Sequence, residues 1–452
     1  MLPLLTALAL ISMKNLLLGV VAIWATLSGT ALAEGQTTEV VLGNGLDVII
    51  REDHRAPVVA VETVYRVGAV DEKDGKTGLA HMLEHMMFKG TEKVPGEQFS
   101  SIVEHFGGEE NAFTTDDFTA YYQIEAADRL PLALELESDR MEGLQLKAED
   151  FIQEHRVVME ERRWRIDDQP SALAQERFGA MAHVASPYRR PTIGWMADIA
   201  GLNIEDVRHW YHDWYEPGNA VLVIVGDVDT PKTLALIHHF YDRVPAHTVP
   251  EHVIPREIDA PGDRFIRVHN KVKVPFVWVA YNVPGFKTAV DVNEVYALTV
   301  LAGILDQGDS SRLQQDLVHK SQVAASADAG YSGIARGDTL FEFTAVPGPG
   351  HNLAQLEQSF DQEIARLRNT QPASEEMQRV LAQLKSSEIY ARDSIAGEAG
   401  ALVSFEGIGL GWKDRDAYLH HLEQVTPAQV QEVARKYFVN TRRTIAEVEP
   451  TQ

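Results

Sequence analysis

The sequence predicts an α+β fold of two similar domains, each a mostly antiparallel sheet packed with helices and related to the other by an internal repeat. Three observations lead there. Runs rich in β-branched residues alternate irregularly with segments of helical periodicity. A pattern recurs: Arg55-Ala56-Pro57-Val58-Val59-Ala60-Val61 ahead of Tyr65 resembles Lys273-Val274-Pro275-Phe276-Val277-Trp278-Val279 ahead of Tyr281, and each opens a strand that leads to a long helix. Between them, Pro245, Pro250, Pro255 and Pro261 fall in a stretch with few apolar residues, composed like a linker. The expected divisions are an N-terminal domain over 34–242, a linker over 243–262 and a C-terminal domain over 263–452. A chain of 452 residues is long enough for two such cores.

The elements follow in order. Met13-Lys14-Asn15, the apolar run 16–27 and Ser28-Gly29-Thr30-Ala31-Leu32-Ala33 read as a signal peptide over 1–33, cleaved near Ala33. Export to a bacterial periplasm is therefore expected, an uncleaved membrane anchor being the alternative, and the start codon is Met1 or Met13. Residues 39–42 and 46–51 read as strands joined at Gly43-Asn44-Gly45, an Asn-Gly hairpin signal. A third strand covers 58–67. Helical periodicity marks 78–89, 96–106, 130–143, 147–165 and 204–215, and a strand at 220–225 closes in Gly226-Asp227. In the second half a helix is expected over 293–305.

Composition narrows the function. Hydrophobic residues are 45% and charged residues 24%, values of a folded globular chain. Lys+Arg number 41 against Asp+Glu 66, and no basic run is long enough to follow a phosphate backbone, so nucleic acid is excluded as a partner. With no cysteine, only His and carboxylates remain as strong metal ligands.

His81-Met82-Leu83-Glu84-His85 carries the chemistry. Residues four apart on a helix lie one above the other, so His81 and His85 can place two imidazole nitrogens on one Zn²⁺. Glu84 lies on the same side, within reach of a water there. A catalytic zinc site needs three protein ligands, and the helical stretch 147–165 offers Glu149, Glu154, Glu160 and Glu161. Periodicity does not choose among them. Glu154 and Glu161, two turns apart, share one face and make a plausible ligand and supporting pair.

These residues, extended to Gly78-Leu79-Ala80-His81-Met82-Leu83-Glu84-His85-Met86-Met87-Phe88-Lys89-Gly90-Thr91, resemble the pitrilysin-type zinc peptidases, above all their short two-domain members, the mitochondrial processing peptidases and bacterial zinc proteases. Gly107-Gly108, Asn111-Ala112-Phe113-Thr114 and Asp117 through Tyr122 resemble the second motif of that family. Glu154-His155-Arg156-Val157-Val158-Met159-Glu160-Glu161 resembles its third. Further landmarks are Ser186-Pro187-Tyr188, Ile193-Gly194, Pro217-Gly218-Asn219-Ala220 and Gly226-Asp227-Val228-Asp229.

The resemblance covers nearly all of the chain after residue 33, and it implies a zinc endopeptidase. Within it His81, His85 and Glu161 hold one Zn²⁺ per chain, Glu154 supports them, and Glu84 is the general base and acid. Asn111, Ala112 and Phe113 belong to an edge strand on which unfolded peptides or flexible segments add by β-augmentation.

One departure stands out. The family's active members carry, downstream, an Arg and a Tyr that stabilise the tetrahedral intermediate. Here Gly308-Asp309-Ser310-Ser311-Arg312-Leu313 matches the approach, but Val318 stands where the Arg belongs and Ala325 where the Tyr belongs. Tyr331 is a candidate replacement. Two functions result: a catalytic subunit whose missing donors come from a homologous partner, as a heterodimer or a homodimer, or a catalytically idle partner or assembly subunit that keeps the fold as a binding shell.

Overall fold

The protein is described by a computed structural model over residues 36–451. The expected signal peptide, 1–33, lies outside the described residues. The hairpin expected from Asn44-Gly45 joins β1 (Thr37–Val41) to β2 (Asp47–Glu52). Gly45 has φ +91°, the left-handed conformation the turn demands, and Leu42 N–H donates to the Leu46 carbonyl.

Six strands form the first sheet in the order β1-β2-β6-β3-β5-β4. Its remaining members are β3 (Val58–Tyr65), β4 (Glu109–Thr114), β5 (Thr119–Ala126) and β6 (Ala220–Gly226). β6 runs parallel to β2 and antiparallel to β3, and β5 is antiparallel to both β3 and β4.

The second sheet, β7-β11-β8-β10-β9, is built from β7 (Arg264–Asn270), β8 (Phe276–Val283), β9 (Ala324–Tyr331), β10 (Thr339–Pro347) and β11 (Arg443–Pro450). Its pairing repeats the first: β11 is parallel to β7 and antiparallel to β8, and β10 is antiparallel to β8 and β9. β3 and β8, the strands singled out by the repeated sequence pattern, take the same central place in their sheets. β4 and β9 take the same edge. Residues 243–262, between the halves, contain no helix or strand.

Both sheets are covered on two faces. Val48, Ile50, Val59, Val61, Leu222 and Ile224 pack with buried residues of Leu130–Gly143, Ile204–Trp214 and Thr230–Tyr241, and of α1 (Leu79–Met86). Four later helices matter below: α2 (Ala148–Arg162), α3 (Pro170–Ala182), α4 (Asn293–Asp306) and α5 (Ile395–Gly407). The alternate side chains Ile49, Ala60, Val64, Val221 and Val223 point to the opposite face of the first sheet. There they meet Ala399, Leu402 and Val403 of α5, a helix from the other half. The second sheet is covered on one face by helices of its own half, α4 among them. Its other face is covered by α3, from the first half, whose Phe178 stacks on Trp278 at 5.6 Å and packs on Ala280 and Ala446. Each half thus lends one helix to the sheet of the other.

The start of α1 is held from outside the helix. Glu72, in the loop after β3, is 4% exposed, and its carboxylate accepts the backbone N–H of Gly78 at 3.0 Å and of Ala80 at 2.8 Å. These are two of the donors that a helix N-terminus leaves without intrahelical partners, and burial raises the Glu72 carboxyl to about 8 despite them. Gly78 itself has φ +85°, and a Cβ there would lie 2.5 Å from the Ile193 carbonyl oxygen, so the sharp entry requires glycine.

Two outcomes follow from this packing. Replacing Phe178 by Ala should destabilise the protein by about 3–5 kcal/mol in urea unfolding, the range for a buried phenyl ring. Glu72→Ala should cost about 1–3 kcal/mol, because two buried N–H groups lose their acceptor. A loss below about 0.5 kcal/mol for Glu72→Ala would show that the carboxylate does not fix α1.

Candidate metal centre

The apolar residues of α1, Leu79, Met82, Leu83 and Met86, are sunk in the core, which leaves His81, Glu84 and His85 facing a cavity of about 1030 Å³. Across the cavity runs α2, anchored through Phe151 and Val158. Of the four glutamates that periodicity left open, the structure turns two toward α1. Glu161 Oε2 lies 3.2 Å from His85 Nε2 and 3.7 Å from His81 Nε2, and Glu154 Oε2 lies 3.2 Å from His85 Nδ1. Glu149 is exposed, as is Glu160, which pairs with Arg163.

His81, His85 and Glu161 can each present one ligand atom such that all three lie within 4.8 Å of one another. Tetrahedral zinc, with bonds of about 2.0–2.2 Å, separates its ligand atoms by about 3.3–3.5 Å, which the two Glu161 distances bracket. The donor chemistry fits as well. With Nδ1 of His85 paired to Glu154, Nε2 is the nitrogen that faces Glu161, and on losing its proton it would ligate a cation held between them.

The charges beside the cluster alternate. Lys89 Nζ lies 2.8 Å from Glu154, and Arg165 Nη1 lies 3.0 Å from the other oxygen of Glu161. Burial, reinforced by the neighbouring His85, holds His81 below its ordinary range. Burial also opposes the charge on His85, but hydrogen bonds to Glu154 and Glu161 outweigh it and bring that imidazole up to about 9. The His85 hydrogen bond keeps Glu154 below the usual carboxylate range. Glu84, which is not among the three converging groups, is raised by burial although the Thr114 hydroxyl donates to it. A carboxyl raised in this way and facing a cavity suits proton transfer.

Asn111, Ala112 and Phe113 line the same cavity from β4, the edge of the first sheet. Phe88, Val157 and Trp164 add apolar wall, with Trp164 presented by the π-helical turn Arg163–Asp167 that follows α2. Among the described residues the second half has no equivalent cluster: the corresponding helix, α4, buries Val295, Leu298, Leu301 and Ile304. Val318 is half-buried against the second core and Ala325 is exposed on β9. Tyr331 donates its hydroxyl to the Pro284 carbonyl at 2.7 Å and lines a different cavity.

Sequence reasoning missed several residues of the site. Arg165 could have been found from its position one turn after Glu161, and Lys89 from its position one turn after His85. Glu72 and Thr114 gave no local signal, since their partners lie in other elements.

Comparison with known proteins gives the family. Residues 47–194 match the family model described as insulinase, peptidase family M16, and residues 201–384 match the one described as the peptidase M16 inactive domain. The zinc protease PqqE of Helicobacter pylori is 32% identical over 421 residues, which cover 91% of this chain and 92% of that protein. A solved structure of a protease from Helicobacter pylori superposes with a TM-score of 0.86 at 30% identity, over 92% of this chain and all of that one. The first half of the periplasmic protease PqqL from Escherichia coli shares the fold, with a TM-score of 0.77 at 21% identity over 92% of each chain. By sequence and by fold, this chain belongs to peptidase family M16.

Proposed function

We propose that the chain is a zinc-dependent endopeptidase that hydrolyses unfolded peptides or flexible segments. The observation that carries this reading is the convergence of His81, His85 and Glu161 beside a raised, non-converging carboxyl at Glu84. His81, His85 and Glu161 would hold one Zn²⁺, which when bound would supply Lewis acidity toward the scissile carbonyl and toward a water. Glu84 takes the proton of the attacking water and returns it to the leaving nitrogen, and Thr114 orients the carboxylate. Glu154 fixes the His85 ring. A substrate strand adds along Asn111, Ala112 and Phe113, where the edge groups of β4 face the cleft. The zinc protease names of the relatives support the metal.

The oxyanion donors come, in this reading, from a homologous subunit, because Val318 and Ala325 donate no hydrogen bond and Tyr331 is engaged with Pro284. We place the protein in the periplasm, in line with residues 1–33 and with the periplasmic relative. Among the described residues no helix is long and apolar enough to cross a membrane. Those same two positions favour the second reading, a catalytically idle binding shell.

The deciding experiment measures bound metal and peptide cleavage on the purified chain, alone and with a related subunit. His81→Ala and His85→Ala should lose zinc and activity together. Glu84→Gln should keep zinc and lose about 10²–10⁴ in kcat. Equal metal loss in all three variants would overturn the role of Glu84. Glu161→Gln should weaken zinc binding far more than Glu160→Gln, as titration against a chelator will show. Adding a related subunit that carries the Arg and Tyr should raise kcat at least about a hundredfold. Zinc binding with no cleavage under either condition identifies the shell.

A further inference from the structure

A second cavity, of about 770 Å³, opens where the two halves meet, beside the metal centre. Phe113 lines both cavities. The next residue, Thr114, is hydrogen-bonded to Glu84, and Thr115 belongs to the second cavity alone. Three consecutive residues therefore lead from the proposed reacting bond to the second cavity, so a peptide lying on β4 passes its mouth within a few residues of the cleavage point.

The floor of the cavity is the face of the second sheet on which Glu342 stands. In the strand register Glu342 is opposite Gly330 of β9 on one side and Ala280 of β8 on the other. Both of these neighbours are small, so no tall side chain stands directly opposite the carboxylate on either strand, and a Cβ added at Gly330 would meet open space. Among the described residues no side chain hydrogen-bonds or ion-pairs with Glu342, although it is half-buried. The lining contains two further carboxylates, Asp116 and Asp117, and neither Lys nor Arg. Those two have partners: Asp116 accepts from the Thr192 hydroxyl, and Asp117 accepts from the Tyr188 hydroxyl and the Arg336 backbone N–H. Glu342 alone has its carboxylate unmatched, with walls of Phe113, Phe118, Ile334 and Leu340 around it.

A charged carboxylate in apolar surroundings without a partner is unfavourable: alone it takes up a proton, and a cation brought beside it completes it as the anion. We infer that this cavity is a subsite for a lysine or arginine side chain of the bound peptide, with its aliphatic stem against the apolar walls and its charge on Glu342. The stem and head of such a side chain match a site with one buried charge and apolar sides. Burial raises the Glu342 carboxyl, consistent with a group that lacks its counter-charge in the free protein. The inference rests on the peptidase reading for the position of the peptide, and it gives that reading a substrate preference.

The test uses the full chain with zinc and any partner subunit it needs, and N-acetylated peptides in which one lysine is walked through the positions flanking the cleaved bond. Each is paired with a peptide carrying uncharged norleucine at the same place. At one position the lysine peptide should exceed its norleucine twin in kcat/KM by at least about tenfold, and Glu342→Gln should bring that ratio close to one. Gly330→Val, which fills the space beside Glu342 and leaves the carboxylate in place, should lower the same ratio. The same pair of peptides is also titrated by fluorescence anisotropy against Glu84→Gln with and without Glu342→Gln, which reads the subsite without turnover. A lysine preference that survives Glu342→Gln, no preference at any position, or a preference seen only with free N-terminal amines overturns the subsite. Cleavage of no peptide, together with a Glu342-dependent lysine preference in the anisotropy, overturns the peptidase reading and leaves the subsite standing.

Discussion

Two twisted sheets with apolar residues on both faces cannot leave either face in water, and the rest of the structure depends on how the second faces are covered. Helices local in sequence cover one face of each. For the other face the halves exchange cover: α5 lies on the first sheet and α3, through Phe178 and Trp278, on the second. Burial of this apolar area ties the halves together without a disulfide, which the cysteine-free chain could not form. The exchange also determines what stays open. β4 remains a sheet edge, and the wall between the halves closes imperfectly beside it, leaving the cavity that Glu342 lines.

The candidate metal centre lies in a cleft lined by charges of both signs. Glu72 fixes the first turn of α1, so His81 and His85 leave the helix at a set angle toward α2. Across the gap, charges alternate from Lys89 through Glu154 and His85 to Glu161 and Arg165. Each carboxylate therefore has a cationic neighbour on its outer side. Glu84 stands outside the alternation, held by the neutral Thr114 hydroxyl, and burial leaves it raised.

The halves show how little topology constrains chemistry. Their strands pair in the same order and sense, and a helix follows the equivalent central strand in both. Yet α1 carries two histidines and a glutamate toward a cleft, whereas α4 buries valine, leucine and isoleucine. One copy of the fold carries the proposed reaction, and the other supplies the floor of the neighbouring cavity. This is the usual relation between a fold and the sites placed on it.

Features set by neighbours in sequence were legible in it. The Asn44-Gly45 hairpin, the helix carrying His81 and His85, the strand opened by each copy of the repeat, and the helix that ends near Arg162 all rest on turn chemistry and on periods of two or 3.6 residues, which need no distant partner. The pairing of Glu154 and Glu161 on one face was visible for the same reason. Periodicity did not choose between them as ligand; the family resemblance pointed to Glu161, and the physical reason, which of the two lies near both histidines across a gap, comes only from the packing of α1 against α2. Glu72, Thr114 and Glu342 were invisible for a related reason. A lone glutamate or threonine in a sequence reads as a solvated polar residue, and its meaning arises from helix ends, sheet edges and small cross-strand neighbours that the tertiary fold places around it. The sequence by itself thus determined which groups could do chemistry; the tertiary structure decided which of them meet, since convergence depends on distances between elements that local periodicity does not encode.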